Sequence, residues 1–327
     1  MEVQNLTKTF KGPFDITRIG RPIINAVKNI NLTVYSGEIL GLVGESGCGK
    51  STLGRIMLRL IDPSKGKVIF MGEDITSLSQ HSMRSHRGSM QLVFQDPYSS
   101  LNPRMTVQEL VQAPLDVFKA GTPESRQKRV LEMLDIVGLG GGALQKFPHE
   151  FSGGQRQRIG IARAMILSPR FIVCDEPVSA LDLSVRAQIL NMMKDIQKKF
   201  VLTYLFISHD LSVVEYMSDR VAVMYLGEIV ELAENEELFH SPRHPYTQAL
   251  TAAVPQPNRD KKYKLMELEG EIPSPFNPPP GCTFHPRCSF CMEVCKTKAP
   301  IFSDLGGGHW AACHKYTNNT VQRTAKE

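Results

Sequence analysis

The chain has 327 residues, of which 42% are apolar and 22% are charged, and its formal net charge is +5. That length suits one large domain or two smaller ones, and no stretch approaches the roughly 20 apolar residues that a membrane-spanning helix needs. The charge is mild and interspersed, unlike the clustered basic surface of a nucleic-acid-binding protein. The first residues lack the pattern of a secretory signal, so we expect a reducing compartment in which disulfides rarely persist.

Apolar strands alternate with amphipathic helices as far as about residue 235. Residues 26–43 predict two strands joined by a turn, and Ile39–Val43 is apolar throughout, as expected of a strand buried on both faces. A helix is predicted from Thr122, a suitable N-cap, to Gly138. Further predicted elements are a strand at 171–177, a helix at 184–200, a strand at 202–210 and a hairpin at 220–233. This alternation indicates an α/β fold around a largely parallel sheet.

The composition changes after about residue 235. Residues 240–260 and 271–282 are rich in proline and weakly periodic, which favours an extended linker or appendage over a packed core. We therefore predict a first domain at residues 1–235 and a C-terminal extension at residues 236–327.

A glycine-rich segment follows the predicted strand Ile39–Val43 and precedes the apolar positions of a predicted helix. Its residues are Gly44, Glu45, Ser46, Gly47, Cys48, Gly49, Lys50, Ser51 and Thr52. This strand–loop–helix order is that of a P-loop, whose backbone N–H groups cradle phosphate oxygens. Lys50 would add positive charge near the β- and γ-phosphates, and Ser51 would offer its hydroxyl to Mg²⁺. The segment therefore predicts a nucleotide-binding site.

Two carboxylates end the predicted strand at 171–177. Asp175 is placed to hold the Mg²⁺ shell, and Glu176 is placed to polarise an attacking water. Phosphoryl transfer needs positioning and charge stabilisation more than covalent chemistry. These carboxylates, together with Lys50 and Mg²⁺, are therefore a sufficient catalytic set.

The segment at 151–169, FSGGQRQRIGIARAMILSP, resembles the signature segment of ABC-type ATPases. Gln95 resembles the Q-loop of that family, residues 179–182 its D-loop, and His209 its switch histidine. The chain is thus identified as a member of the ABC ATPases. The resemblance implies a P-loop NTPase fold with a RecA-like core, an antiparallel β subdomain, and a helical subdomain at about residues 96–168 that grips a permease.

The resemblance also implies an ATP site shared by two subunits that associate head to tail. The P-loop of one chain and the signature residues Ser152, Gly154 and Gln155 of another would enclose one ATP. A helix N-terminus suits a γ-phosphate because it carries partial positive charge and free N–H donors. Asp182 would cross the dimer seam.

The resemblance also implies which residues bind Mg²⁺ and which take part in catalysis. Gln95, with Ser51, would ligate Mg²⁺, and it would also sense the transmembrane partner. His209 would contact the γ-phosphate and help Glu176 to hold the water. Together with Lys50 of the P-loop, Glu176 and His209 are the implied catalytic residues.

The residue that stacks on adenine has two candidates. The family usually places an aromatic residue after the first strand, and Phe10 matches that position. Residues 11–22 look like an insertion, so that Phe14 is the alternative.

Narrower resemblances point to transport of peptides. Residues 93–107, residues 244–255 and the cysteine-bearing tail resemble ATP-binding subunits of oligopeptide and dipeptide importers. This resemblance implies two transmembrane permease subunits, a second, paralogous ATPase subunit, and, indirectly, an extracytoplasmic peptide-binding protein. It also implies a peripheral location on the cytoplasmic face of a prokaryotic cell membrane.

Two alternative functions remain. Importers of nickel or another small solute are near relatives, although they usually lack the long cysteine-bearing tail. A soluble ABC ATPase that acts on nucleic acid would usually carry a long insertion or a second ATPase domain, and this sequence shows neither. We therefore expect no nucleic-acid partner.

Five cysteines lie near the end of the chain: Cys282, Cys288, Cys291, Cys295 and Cys313. Zinc favours two close pairs, and only the pair Cys288 and Cys291 is present, whereas iron–sulfur clusters accept looser spacings. The resemblance implies a [4Fe–4S] cluster on Cys282, Cys288, Cys295 and Cys313, with Cys291 as a competing ligand and zinc as the alternative metal. We expect such a group to be structural, because a proline-rich tail of this size has little core of its own.

Overall fold

The computed structural model describes residues 1–12, 23–253 and 270–316. The strands are β1 (Glu2–Lys11), β2 (Ile23–Thr33), β3 (Ile39–Val43), β4 (Lys65–Phe70), β5 (Glu73–Asp74), β6 (Met90–Val93), β7 (Phe171–Asp175), β8 (Thr203–Ile207), β9 (Arg220–Tyr225), β10 (Glu228–Glu234), β11 (Ser303–Asp304) and β12 (Trp310–Ala311). The helices are α1 (Lys50–Met57), α2 (Gln80–Arg87), α3 (Pro97–Ser100), α4 (Val107–Val117), α5 (Pro123–Ile136), α6 (Gly153–Met165), α7 (Leu183–Phe200), α8 (Leu211–Met217), α9 (Asn235–His240), α10 (Pro245–Ala252) and α11 (Glu293–Thr297).

The larger sheet has the strand order β11-β12-β10-β9-β3-β8-β7-β6. The run from β9 to β6 is parallel, as the alternation of strands and helices predicted. All residues of β3, β7 and β8 are buried, because side chains are covered on both faces of the sheet. The carboxyl ends of these strands meet at one edge, where the segments that follow them come together.

The two faces of this sheet border different apolar cores. Ile172 and Cys174 of β7 pack with helices α4 to α7, whereas Phe171 and Val173 pack with α1 and a second sheet. That second sheet has the order β2-β1-β4-β5 and is antiparallel throughout. The antiparallel β region expected from the resemblance is therefore present.

Helices α3 to α6 lie between β6 and β7 in the chain, within the range expected for a helical subdomain. The predicted helix near residues 122–138 is confirmed as α5. Its N-cap Thr122 accepts a hydrogen bond from the Ser125 N–H at 3.3 Å, and Gly138 follows its end with a φ of +71°. The buried Val130 and Leu134 join the core on the α4–α7 side of the sheet.

Among the described residues after 235, several elements pack on the larger sheet. The expectation of an extended linker is wrong for α10, in which Pro245 occupies the first turn and Tyr246 is fully buried. Further on, β12 pairs with β10, with Ala311 opposite Glu231. Aromatic side chains at proline-rich positions supply the apolar surface that the weak periodicity did not reveal. The described residues 270–316 thus lie against the same core as the preceding ones.

Candidate nucleotide-binding site

Two glycines allow the tight turns of the loop that follows β3. Gly44 has a φ of +151° and Gly49 a φ of +112°, both of which L-residues rarely adopt. A Cβ on Gly44 would collide with the carbonyl oxygen of Met224, and a Cβ on Gly49 with that of Ala26. The backbone therefore curls tightly from the buried end of β3 into α1, as a phosphate-binding loop requires.

Lys50 opens α1 and turns back onto this loop. Its side chain is buried, and its Nζ donates hydrogen bonds to the carbonyl oxygens of Gly44 at 2.7 Å and Glu45 at 3.0 Å. Cys48 lies 3.9 Å from the same nitrogen, and burial raises the pKa of this thiol. The ammonium charge is thus held inside the loop, at the place where a triphosphate would enter.

Ser51 and Asp175 meet across the edge of the sheet. The Ser51 hydroxyl donates to Oδ1 of Asp175 at 2.7 Å. Burial raises the pKa of Asp175, and the hydrogen bond from Ser51 offsets part of that rise. The hydroxyl and the carboxylate expected around Mg²⁺ are therefore within one hydrogen bond of each other.

Glu176 lies between Gln95, a predicted Mg²⁺ ligand, and His209, a predicted catalytic residue. Its Oε2 accepts a hydrogen bond from Nε2 of Gln95 at 3.0 Å and lies 3.1 Å from Nδ1 of His209. Glu176 has a φ of +48°, a left-handed conformation that is costly for a residue with a side chain. Its own N–H donates to the Ile207 carbonyl at 3.0 Å, which ties this strained turn to β8.

The signature residues form the start of α6. Ser152 is the N-cap: its hydroxyl accepts from the Gln155 N–H at 3.4 Å, and the Gln155 side chain accepts from the Ser152 N–H at 3.0 Å. Gly154 is buried, and α6 packs so closely on α7 here that a Cβ on Gly154 would collide with Val185. The segment before α7 includes Asp182, the N-cap residue of that helix.

Of the two aromatic residues predicted as candidates for stacking on adenine, the structure describes only Phe10. Phe10 lies at the end of β1 with 38% of its surface exposed, and Nζ of Lys8 lies 5.1 Å from the centre of its ring. Phe14 lies outside the described residues. Stacking of Phe10 on adenine stays a prediction.

Four of the five C-terminal cysteines line a common cavity of about 20 Å³, namely Cys282, Cys288, Cys295 and Cys313, and Cys291 is not part of its lining. All the cysteines carry free thiols, and burial raises the pKa of Cys282 to about 12. In the part of the chain that the structure describes, no group of three or more His, Cys, Asp or Glu residues is arranged to hold a metal ion. The four thiols are therefore gathered around one small cavity, but they are not arranged to coordinate a [4Fe–4S] cluster or zinc.

Two residues near the P-loop were missed by the sequence analysis. Arg287 forms an ion pair with Glu45, and the hydroxyl of Tyr246 accepts a hydrogen bond from the Glu45 N–H at 3.0 Å. Both come from the region after residue 235, for which the proline content predicted a linker. No local pattern links them to a loop some 200 residues earlier.

Comparison with known proteins places this geometry in a family. The family model of the ABC transporters matches residues 27–179, and that of the oligopeptide/dipeptide transporter C-terminal region matches residues 230–295. The chain is 50% identical over 297 residues to the oligopeptide transport ATP-binding protein AppF of Bacillus subtilis, covering 90% of each. The chain belongs to the ABC transporter ATP-binding proteins. Since members of this family hydrolyse ATP, it is an ATPase.

Other relatives agree with this assignment. A probable peptide ABC transporter ATP-binding protein of Sinorhizobium fredii is 48% identical, over 96% of this chain and 89% of the relative. A dimeric ATP-binding cassette solved in a post-hydrolysis state with ADP and Pi has a TM-score of 0.63 and 32% identity, over 72% of this chain and 98% of that one. A cassette from Clostridium perfringens, part of an ABC transporter complex, has a TM-score of 0.63 and 28% identity, over 73% of this chain and 90% of that one. The P-loop NTPase fold is thereby confirmed.

Within residues 1–12, 23–253 and 270–316, no helix is both long enough and apolar enough to cross a membrane.

Proposed function

We propose that this ABC ATPase supplies the energy for import of oligopeptides or dipeptides. The observation that carries ATP hydrolysis is the position of Glu176, held between Gln95 and His209 beside the P-loop. The observation that carries peptide import is the extent of similarity to relatives named for peptide transport, which reaches the C-terminal region. Import of nickel or another solute, and action on nucleic acid, receive no such support.

In the proposed mechanism, backbone N–H groups of the loop 44–52 bind the phosphates, and Lys50 neutralises part of their charge. Ser51 and Gln95 would hold Mg²⁺, with Asp175 fixing the Ser51 hydroxyl. When bound, this ion would offset the negative charge of the phosphates. The close Ser51–Asp175 pair fits the ion's preference for oxygen ligands.

Glu176 is proposed to orient the attacking water. Its carboxylate is fixed from two sides by Gln95 and His209, which leaves it few orientations. Such positioning lowers the entropy that must be lost on the way to the transition state. His209, whose side chain is 57% exposed, is proposed to contact the γ-phosphate.

The second half of the site would come from a partner ATPase. Ser152, Gly154 and Gln155 build a capped helix start suited to a phosphate. The Ser179 hydroxyl donates to the Glu176 carbonyl at 3.1 Å, so that the segment leading to Asp182 is joined to the catalytic turn. The relation to dimeric cassettes supports this head-to-tail arrangement.

The permease subunits would dock in a groove of about 660 Å³ between the larger sheet and the α3–α6 region. Its lining includes Leu60, Phe94, Val117 and Phe118, all of which are exposed apolar side chains. Exposed apolar surface of this kind marks an interaction site. We propose that two permease subunits, a second ATPase and, indirectly, a peptide-binding protein complete the assembly on the cytoplasmic face of a prokaryotic membrane.

A transport experiment tests this proposal. Deletion of the chain from its native cell should abolish uptake of a radiolabelled di- or oligopeptide, and re-expression of the wild-type chain should restore it. Uptake of radiolabelled nickel serves as the control. Loss of nickel uptake with peptide uptake intact would contradict the proposed substrate.

We also propose that Cys282, Cys288, Cys295 and Cys313 bind a metal group. The proposed group is a [4Fe–4S] cluster, and zinc is the alternative. The support is their shared cavity, from which Cys291 is left out. The thiols are not in coordinating positions as described, and about 20 Å³ is roughly the space of one water, so a cluster requires them to move apart.

The metal content of the anaerobically purified full chain tests this proposal. Iron and acid-labile sulfide, about four of each per chain, are expected in the wild type and in Cys291→Ser, and their loss is expected in Cys313→Ser. Stoichiometric zinc would favour the alternative metal. A metal-free wild type would overturn both.

A further inference from the structure

Glu45, the second residue of the P-loop, is held from outside the loop by two contacts. Nη1 of Arg287 lies 2.7 Å from Oε2 of Glu45, and Nη2 lies 3.0 Å from Oε1, which is a bidentate ion pair. The Glu45 N–H donates to the Tyr246 hydroxyl at 3.0 Å. Side chain and backbone of this one residue are therefore both fixed by the C-terminal region.

The ion pair is shielded from solvent. Only 5% of the Arg287 side chain and 21% of the Glu45 side chain are exposed, whereas Arg243 and Glu237, paired in the same region, are each over 40% exposed. A bidentate guanidinium–carboxylate pair sets direction as well as distance. A shielded pair of this type serves to fix geometry more than to add stability, and removing one partner leaves a buried charge without compensation.

Glu45 is also joined to the residue that would neutralise phosphate charge. Lys50 Nζ donates to the Glu45 carbonyl at 3.0 Å and to the Gly44 carbonyl at 2.7 Å. A displacement of Glu45 would therefore displace an acceptor of the lysine. In addition, the carboxylate of Glu45 would repel a polyanion if Arg287 did not offset its charge.

Arg287 is carried to the P-loop by the cysteine-bearing segment. It ends the short 3-10 turn His285–Arg287, between Cys282 and Cys288. Phe284 of the same segment is buried against Tyr225 and Tyr246, with ring centres 5.3 and 5.4 Å apart. Packing of this aromatic group fixes where the guanidinium lies.

We propose that Arg287 is a positioning residue of the ATP site: through Glu45 it keeps the P-loop in its phosphate-binding geometry, so that docking of the segment 282–295 sets the affinity for ATP. The inference rests on the proposed use of the P-loop for ATP. It adds a control of that site by a region outside the recognised motifs.

Binding of a fluorescent ATP analogue to the full chain, together with steady-state ATP hydrolysis, tests the proposal. Arg287→Met, which removes the charge and keeps the bulk, should raise both Kd and KM about tenfold and change kcat by less than about twofold. Arg287→Lys should lie between this variant and the wild type, because a lysine keeps the charge and loses the bidentate geometry. Arg243→Met removes an exposed arginine of the same region and should change neither constant.

A double substitution separates positioning from general damage. Glu45→Gln combined with Arg287→Met removes the uncompensated carboxylate and should recover at least about half of the logarithmic loss in affinity. A folded Arg287→Met with wild-type Kd and KM, whether or not its thermal stability falls, would overturn the proposal. If Arg287→Met does not fold, an unchanged Kd in Arg287→Lys would overturn it instead. Failure of the wild type to bind ATP would instead refute the proposed function.

Discussion

The nucleotide edge of the larger sheet and the C-terminal region are built in contrasting ways. At the nucleotide edge, the functional residues lie at the ends of regular elements, and the parallel sheet brings them together. Ser51 is in the first turn of α1, Asp175 ends β7, and Glu176 and His209 follow β7 and β8 within two residues. In the C-terminal region, short elements are fixed one by one through buried polar contacts. We infer from this contrast that substitutions at the nucleotide edge change turnover and that substitutions in the C-terminal region change stability. Contacts of the C-terminal region to Glu45 are the exception, because their loss should also change the affinity for ATP.

The largest expected effect tests the nucleotide edge. Glu176→Gln should lower the rate of ATP hydrolysis at least about a hundredfold, because an amide neither carries the charge nor accepts a proton from water. Binding of ATP and the free energy of unfolding should be nearly unchanged, and the ATP-bound dimer should accumulate. Phosphate release and size-exclusion chromatography with ATP measure these effects.

The matched control for this prediction is Glu132→Gln, which changes an exposed carboxylate on α5. It should hydrolyse ATP at the wild-type rate. Retained turnover in Glu176→Gln would show that another group orients the water.

A second substitution tests the C-terminal region. Glu231 is fully buried in β10 and accepts hydrogen bonds from the N–H groups of Arg243 at 2.6 Å and His244 at 2.9 Å, and it lies 2.6 Å from Nε2 of His309. Glu231→Ala leaves these groups without their partner and should lower the free energy of unfolding by about 3 kcal/mol. Urea denaturation measures the loss.

Glu132→Ala is the control for stability, since an exposed pair contributes well under about 1 kcal/mol. A Glu231→Ala chain as stable as the wild type would break the comparison, because it would show that the buried contacts do not hold the C-terminal region in place.

The pH dependence of stability sharpens the comparison further. Burial lowers the pKa of His244 to about 4, and its Nδ1 accepts a hydrogen bond from the Tyr246 N–H at 3.1 Å. Between about pH 6.5 and pH 4 the unfolded chain binds a proton that the folded chain does not, so the free energy of unfolding should fall by about 1.4 kcal/mol per unit as pH is lowered. Urea denaturation at intervals across this window measures the slope.

His244→Asn keeps an acceptor for the Tyr246 N–H and removes the titrating group. In this variant the free energy of unfolding should depend on pH less steeply across the same window, by about 1.4 kcal/mol per pH unit, which is the contribution of one proton. His240→Asn, at an exposed position of α9, should keep the wild-type slope. Equal slopes in all three proteins would contradict the assignment of the pH dependence to His244.

The smallest expected effect lies where the two regions meet. Tyr246→Phe removes the acceptor of the Glu45 N–H, and it should cost about 1 kcal/mol of stability and weaken ATP binding about threefold. Tyr216→Phe removes the hydroxyl of an exposed tyrosine and should do neither. A Tyr246→Phe chain that loses stability and keeps its ATP affinity would restrict control of the P-loop to Arg287.

The sequence was informative wherever function depends on local patterns. The P-loop could be predicted because its glycines, Lys50 and Ser51 are contiguous and lie between a buried strand and a helix. The meeting of Asp175 with Ser51 also followed from the pattern, because the carboxyl ends of parallel strands share one edge. The resemblance then supplied Gln95 and His209, which no local rule would have selected.

Distant contacts and very short elements could not be predicted in this way. Arg287 is 242 residues from Glu45 in the chain, and their pairing depends on the packing of the segment around Phe284 against Tyr225 and Tyr246. Strands β11 and β12 have two residues each, too few for a period to be visible. In α7 the apolar spacing places Phe200 on the same face as the buried Ile189, but Phe200 is the last residue of the helix and is 40% exposed.

The pairing of β12 with β10 has a consequence for solubility. A strand such as β10, with seven residues and a largely apolar sequence, would otherwise offer a free row of N–H and C=O groups to other molecules. Strands β12 and β11 continue the sheet beyond β10, and they are so short that the resulting edge strand offers a second copy few unpaired N–H and C=O groups. A chain truncated before Ser303 would therefore expose the unpaired edge of β10, and we expect it to aggregate by edge-to-edge pairing of strands.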